Sequence, residues 1–243
     1  MNDLSGLHQV VESSGVDPEV FMLRPDYRAV LIAAHGLVPG PSDQTSEDLL
    51  SQAEGFAREL LQTTSVEDLP HVAAWRDSYR GFGSKPQRTR NSLEALLRRA
   101  ATGLPRVNRL TDIYNAISVL HQVPVGGEDL AGYAGAPRLT RATGIEPFDT
   151  ATGGEETVEF PEPGEVVWRD DVGVTCRRWN WRQGRRTQLK DNTETALFIL
   201  DALEPMTDYA LQLAADALTS HLGQLGPDVQ TASRMIRSEP MTS

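Results

Sequence analysis

Two stretches of this chain bring together residue types that could do chemistry. The first runs from Leu104 to Leu130, LPRVNRLTDIYNAISVLHQVPVGGEDL, and joins an amphipathic helix to a Gly126-Gly127 pair followed at once by Glu128 and Asp129. A helix delivering a polar group such as Asn115 to a tight acidic loop suggests a pocket, and paired glycines let backbone turn sharply or approach a ligand closely. The plainer reading is a helix, a turn and a solvated acidic pair. The second stretch, Cys176 to Arg182, reads CRRWNWR. Strand alternation would put Trp179 and Trp181 on one face with Arg177, and Arg178, Asn180 and Arg182 on the other. Tryptophan beside arginine can stack a nucleobase, an interaction worth about 1–3 kcal/mol per base. Two core tryptophans with a snorkelling arginine fit the same spacing, and then Asn180 becomes the better site candidate.

The elements that must position these residues can be read from period and punctuation. Val107, Leu110, Ile113, Ile117 and Leu120 recur at three or four residues, which predicts one buried stripe on a helix starting near Asn108 and ending before Pro124; Asn115 lies off that stripe. Asn91-Ser92 opens another helix, with Leu93, Leu96 and Leu97 inward and Arg98 and Arg99 in its last turn, where cations suit the helix dipole. Val20 to Leu37 is apolar enough for an early strand. Ser42 is a plausible cap for a helix running through Leu61, and Thr64-Ser65 opens a short helix toward His71 to Tyr79. Short strands are expected at 137–143, 157–160, 166–170 and 172–179, with a hairpin turn at Asp171 to Gly173. A final helix is expected over about 208–222, striped by Leu211, Ala214, Ala215, Leu218 and Leu222, and a polar tail that frays beyond Gly226. The class is α+β.

The 243 residues are enough to bury a substantial core as one domain. A lone cysteine, Cys176, excludes a disulfide framework and reads as a small buried strand residue in a reducing compartment. The five histidines lack metal-ligand spacing, so neither a metal site nor a cofactor is expected. No apolar run reaches a membrane span, and the polar N-terminus lacks the pattern of a signal peptide, so a cytoplasmic protein without a membrane partner is expected. A net charge of −11 argues against indiscriminate binding to DNA or other polyanions. Charge is nevertheless uneven: Arg76 to Arg109 holds nine bases against two acids, Arg177 to Lys190 holds six bases and no acid, and the first 70 residues are acidic. Such asymmetry can orient a polyanion on one face, or the arginines can simply pair with those acids. Gly81-Phe82-Gly83-Ser84-Lys85 lacks the spacing of a P-loop and reads as a basic loop; no Gly-x-Ser-x-Gly elbow is present.

Three signatures stand in order: GFGSKPQRTRNSLEALLRR at Gly81 to Arg99, the VN…D-x-YNA…PVGGEDL segment at Val107 to Leu130, and CRRWNWR at Cys176 to Arg182. Together they resemble the B3/4 domain, the editing module of the phenylalanyl-tRNA synthetase beta subunit, and more closely its freestanding relatives. The likeness covers roughly residues 20–220. It implies a β-barrel-like core with helices packed around it, forming a single domain at 20–222 between an N-terminal extension (1–19) and a polar C-terminal tail (223–243).

The same resemblance implies hydrolysis of mischarged tRNA in trans, with aminoacylated tRNA as partner. The synthetase's pocket asparagine matches Asn115, and the threonine before it is Tyr114 here, which implies a smaller or differently shaped site and no tyrosyl-tRNA specificity. Its editing histidine falls at Gly126, and its Gly-Gly-Glu strand end is replaced by Arg178 to Arg182. On this reading Asn115 and Asn180 orient the substrate. Glu128 is either a base for water or a partner for the α-ammonium, and Asp129 caps its loop. Tyr114, Gly126, Gly127, Asp129, Trp179 and Trp181 shape the binding site, while Lys85, Arg88, Arg90, Arg177 and Arg182 meet RNA. A binder of RNA or amino acid without turnover, and a transferase passing the aminoacyl group to an amine, are the alternatives. Full synthetase activity is not expected, and the sequence sets no oligomeric state.

Overall fold

A computed structural model describes residues 4–238. The two most apolar runs of the chain, Arg28–His35 and Thr195–Ala202, pair antiparallel along their full length, which buries their side chains on both faces. Numbered in chain order, the elements are α1 (Leu4–Ser13), β1 (Gly15–Val16), α2 (Pro18–Leu23), β2 (Arg28–His35), α3 (Gln44–Leu60), α4 (Pro70–Gly81), α5 (Ser92–Ala100) and α6 (Arg109–Leu120). There follow β3 (Val125–Asp129), β4 (Arg138–Arg141), β5 (Phe148–Thr152), β6 (Glu155–Glu159), β7 (Val166–Arg169), β8 (Val174–Arg177), β9 (Arg182–Gln183), β10 (Thr195–Ala202), α7 (Asp208–Leu222) and β11 (Gln230–Arg237).

A four-stranded antiparallel sheet, in order β11-β2-β10-β3, separates two apolar cores. Val30, Ile32, Ala196, Phe198 and Leu200 face a core built with α3, α5, α6 and α7. Leu31, Ala33, Leu197 and Ile199 face the other, filled by Trp75, Trp168 and Trp179. The second sheet runs β1-β4-β7-β8-β5-β6, with β9 paired to β8. The fold is α+β as expected, and the strands of the described residues form two sheets without a closed barrel.

The caps explain why the helices start where they do. Asn91 accepts from the Glu94 amide and Asn108 from the Thr111 amide, so both asparagines satisfy amides that the first turn leaves unpaired. Asp43, rather than Ser42, caps α3, forming a reciprocal box with Ser46; Ser42 instead donates to Asp112. Four of the five stripe residues of α6 turn inward as the period predicts, but Val107 precedes the helix and is exposed.

Three expectations give way to tertiary structure. Gly126-Gly127-Glu128-Asp129 is not a loop but strand β3, paired to β10. Its glycines serve close packing: a Cβ on Gly127 would lie 2.9 Å from both Leu189 Cδ1 and Phe198 Cε1, and 3.1 Å from Tyr114 Cε1. Gly127→Val should therefore lower stability by about 1–3 kcal/mol, read from the midpoint of urea unfolding. The polar tail does not fray at residues 230–237, which form β11 on the free edge of β2; residues 239–243 lie outside the described residues. The N-terminal extension contributes Leu7, Val10 and Val11 of α1 to the second core.

Candidate functional site

The three sequence signatures converge on one cavity of about 260 Å³. Helix α5 brings Ser92, Leu96 and Arg99; α6 brings Tyr114 and Asn115; β3 brings Val125, Gly126 and Glu128; the segment after β8 brings Trp179 to Gln183; and β10 supplies Ile199 and Asp201. Two hydrogen bonds tie the first signature to the third: the Ser92 amide donates to the Asn180 carbonyl at 3.0 Å, and Arg178 Nη1 donates to Thr89 Oγ1 at 2.9 Å.

Glu128 is buried and accepts a hydrogen bond from the Tyr133 hydroxyl. Burial raises its carboxyl pKa to about 7, against the opposing pull of Tyr133, Thr175 and the more distant Arg186. Asn115, two residues from both Ile113 and Ile117 and so on the other side of α6 from the apolar stripe, is buried in the same wall. Gly126 leaves room that Gln183 occupies: a Cβ at 126 would meet Gln183 Nε2 at 3.3 Å, and that amide donates to the Gly127 carbonyl at 2.7 Å.

The CRRWNWR stretch does not alternate as a strand. Arg178 and Trp179 both adopt positive φ (48° and 67°), so the chain turns straight after β8 and the two tryptophans part company. Trp179 is a core residue, edge-on to Tyr27 at 5.0 Å and Trp75 at 5.3 Å. Trp181 remains half-buried at the cavity, with the Arg178 guanidinium 4.4 Å from its ring centre. The turn also aims Asn180 inward. Its Oδ1 accepts from the Tyr79 hydroxyl at 3.0 Å, and its Nδ2 donates to Asp201 Oδ2 at 3.3 Å.

Sequence reasoning missed Asp201. It is buried, lines the cavity and accepts from the Tyr27 hydroxyl at 2.6 Å. Burial raises its pKa to about 7, partly countered by Tyr27 and Asn180 and reinforced by Glu128. The available signal was a single acid inside the apolar run ALFILDAL. The linkage has a definite sign. In the unfolded chain this carboxyl ionises near pH ~3.9, so the folded state holds the extra proton and loses stability as pH rises through about 7. Asp201→Asn cannot ionise and should gain on the parent protein as pH rises, seen as a melting-temperature difference that grows in its favour from pH ~4 to ~8.

The proposed RNA contacts are divided by the structure. Arg177 is buried, donating to Glu165 at 2.8 and 2.9 Å and to Glu159 at 2.9 Å, which removes it from any phosphate surface. Arg182 lines the cavity, is about one-third exposed and lies 3.7 Å from Glu159. Lys85, Arg88 and Arg90 are exposed on the segment leading into α5, with Arg90 3.6 Å from Glu94. Much of the basic run meets acids instead. Arg76 reaches Glu94, Arg98 reaches Glu67 and Glu94, and Arg106 reaches Glu47 and Glu54. Arg99, at the cavity, is exposed with no ion pair among the described residues.

Asp129 lies outside the cavity lining and acts as a cap, accepting from the Ala131 amide and the Thr193 hydroxyl, each at 2.9 Å. Gly127 sits behind the wall, packed on Phe198. Among the described residues no group of three His, Cys, Asp or Glu is placed to hold a metal ion, and no helix is long and apolar enough to cross a membrane.

Comparison with known proteins gives three results. No curated protein matches the sequence. An N-terminal fragment of the phenylalanyl-tRNA synthetase beta subunit from Pyrococcus horikoshii is similar in structure, with 12% identity and a TM-score of 0.44 over 89% of this chain; the match spans half of that fragment. The B3/4 domain model matches residues 74–226, a span that includes all three signatures and every residue lining the cavity. By that match, the chain belongs to the B3/4 domain family.

Proposed function

We propose that this protein hydrolyses the ester linking an amino acid to tRNA, acting in trans on mischarged tRNA. The observation that carries this reading is the meeting of Asn115 and Glu128 from the second signature with Asn180 from the third, in one cavity with a half-buried tryptophan and two arginines beside it. An aminoacyl ester is already activated, so the site needs to bind the acyl group, place a water and stabilise the oxyanion. Glu128, with its carboxyl near neutrality, takes a proton from water as the water oxygen bonds to the ester carbonyl. The Asn115 amide donates to the oxygen that gains charge. Collapse breaks the acyl–oxygen bond, and the proton held by Glu128 passes to the departing ribose oxygen, leaving free amino acid and tRNA. Trp181, Arg182 and Arg99 receive the terminal nucleotide, and Lys85, Arg88 and Arg90 receive phosphates farther along the strand.

The test is a deacylation screen of the purified protein against a complete set of aminoacylated tRNAs. Selective ester loss is expected, slowed about 10²–10³-fold by Asn115→Ala if the amide serves the oxyanion. Gly126, where the resembling synthetase carries histidine, favours a second reading in which the pocket binds without turnover. Tight binding of tRNA with no ester loss on any member of the set would select that reading, and ester loss that requires an added amine would select transfer.

A further inference from the structure

The cavity holds two carboxyl groups that form no ion pair among the described residues. Glu94, Glu165 and Asp170 are similarly buried, yet each meets arginine. Asp112 and Asp129 are buried as caps that accept backbone amides. Glu128 and Asp201 differ from both groups: among the described residues they have no ion pair, and their hydrogen-bond partners are neutral side chains, Tyr133 for the first and Tyr27 and Asn180 for the second.

Their placement is regular. Glu128 stands opposite Leu197 in the β3–β10 pairing, and Asp201 lies four residues farther along β10 on the same face, with Ile199 between. At the rise of an extended strand Asp201 lies about 13 Å along β10 from Leu197, the residue that faces Glu128 across the pairing. The cavity surface around them is apolar and aromatic, with Trp168, Trp179 and Cys176 lining it. Trp168 is 1% exposed, and its indole N–H, like that of Trp179, has no acceptor among the described residues. An apolar strip with an acid at each end and aromatic rings beside it suits a cation on an aliphatic chain, because ammonium groups are attracted both to carboxylates and to indole faces. The arginines among the lining residues, Arg99 and Arg182, are the more exposed ones, so charge runs from a basic mouth to an acidic floor.

We infer that the acyl group this pocket takes carries a second cationic group, as in a lysine-, ornithine- or arginine-like amino acid, and that Asp201 is the residue selecting it. The tRNA part of this inference rests on the hydrolase reading; recognition of the side-chain cation does not. The test accordingly has two arms. In the first, titration calorimetry compares lysinamide with norleucinamide, which has nearly the same shape without the side-chain ammonium. Lysinamide is expected to bind at least tenfold more tightly, and Asp201→Asn, which keeps the shape and a hydrogen-bonding oxygen, is expected to erase the difference. Equal affinity, or none for either amide, overturns the inference, and this comparison on the parent protein needs no variant to fold. In the second arm, lysyl- and arginyl-tRNA are compared with norleucyl-tRNA in single-turnover deacylation. A cation preference in the first arm without ester loss in the second keeps the inference and removes the hydrolase reading. Ester loss that is no faster for the cationic acyl groups keeps the hydrolase and overturns the inference.

Discussion

Replacing Glu128 by Gln is expected to slow ester hydrolysis by about 10²–10⁴-fold, the range a positioned general base contributes. Gln keeps the size of the side chain and can still meet the Tyr133 hydroxyl, so folding should survive while proton uptake from water does not. A pH profile separates this role from mere shape. With the carboxyl pKa near 7, kcat/KM of the parent protein should rise about tenfold per pH unit below neutrality and level off above it. The residual rate of the variant should be flat over the same range. Single-turnover deacylation from pH ~5.5 to ~8.5 measures both, and an unchanged profile in Glu128→Gln would remove Glu128 from the proton-transfer step.

Glu165→Ala should cost about 3 kcal/mol of folding stability, because it leaves the buried Arg177 guanidinium without its two-pronged partner. Glu159 retains one contact with Arg177 at 2.9 Å, which holds the loss at the lower end of the range for broken buried pairs. Glu165 also accepts from the Arg178 amide at 3.2 Å, at the start of the positive-φ turn. The same substitution should therefore loosen Trp181 and Asn180 and weaken catalysis beyond its effect on folding. Replacing both charges, Glu165→Leu with Arg177→Met, should recover most of the stability, since no unpaired charge then remains buried. Urea unfolding of the two variants gives the comparison.

Where the structure follows local rules, it was legible in the sequence. Asn91 and Asn108 mark helix starts by satisfying the first free amides, and the 208–222 stripe matches α7 residue for residue. The elements that went unread are those fixed by distant contacts. β10 is buried on both faces and so has no alternation to read, which hid both the central strand and Asp201 within it. Glycines and carboxylates are depleted in strands, so β3 resembled a loop until its pairing with β10 was seen. Arg178 and Trp179 turn with positive φ although neither is Gly or Asn, and alternation arguments fail silently at such a turn. Of the residues that the signatures single out, Asn115, Glu128 and Asn180 line the cavity. Arg177 was misplaced because sequence does not reveal that Glu159 and Glu165 surround it.

The neighbours of β2 come from far along the chain: β10 on one side and β11, which reaches almost to the end of the described residues, on the other. Arg234 of β11 further donates to the carbonyls of Val11, Glu12 and Ser14 at the end of α1, so segments from opposite ends of the described chain are stitched together. The central sheet is thus assembled by long loop closures, whose entropy must be lost before pairing returns any free energy. Helices such as α3 and α6 can form early from local signals, yet the wall carrying Glu128 and Asp201 takes shape only as the non-local strands join. Folding speed should accordingly be governed by chain topology rather than by helix propensity, and the pocket should be among the last features to mature.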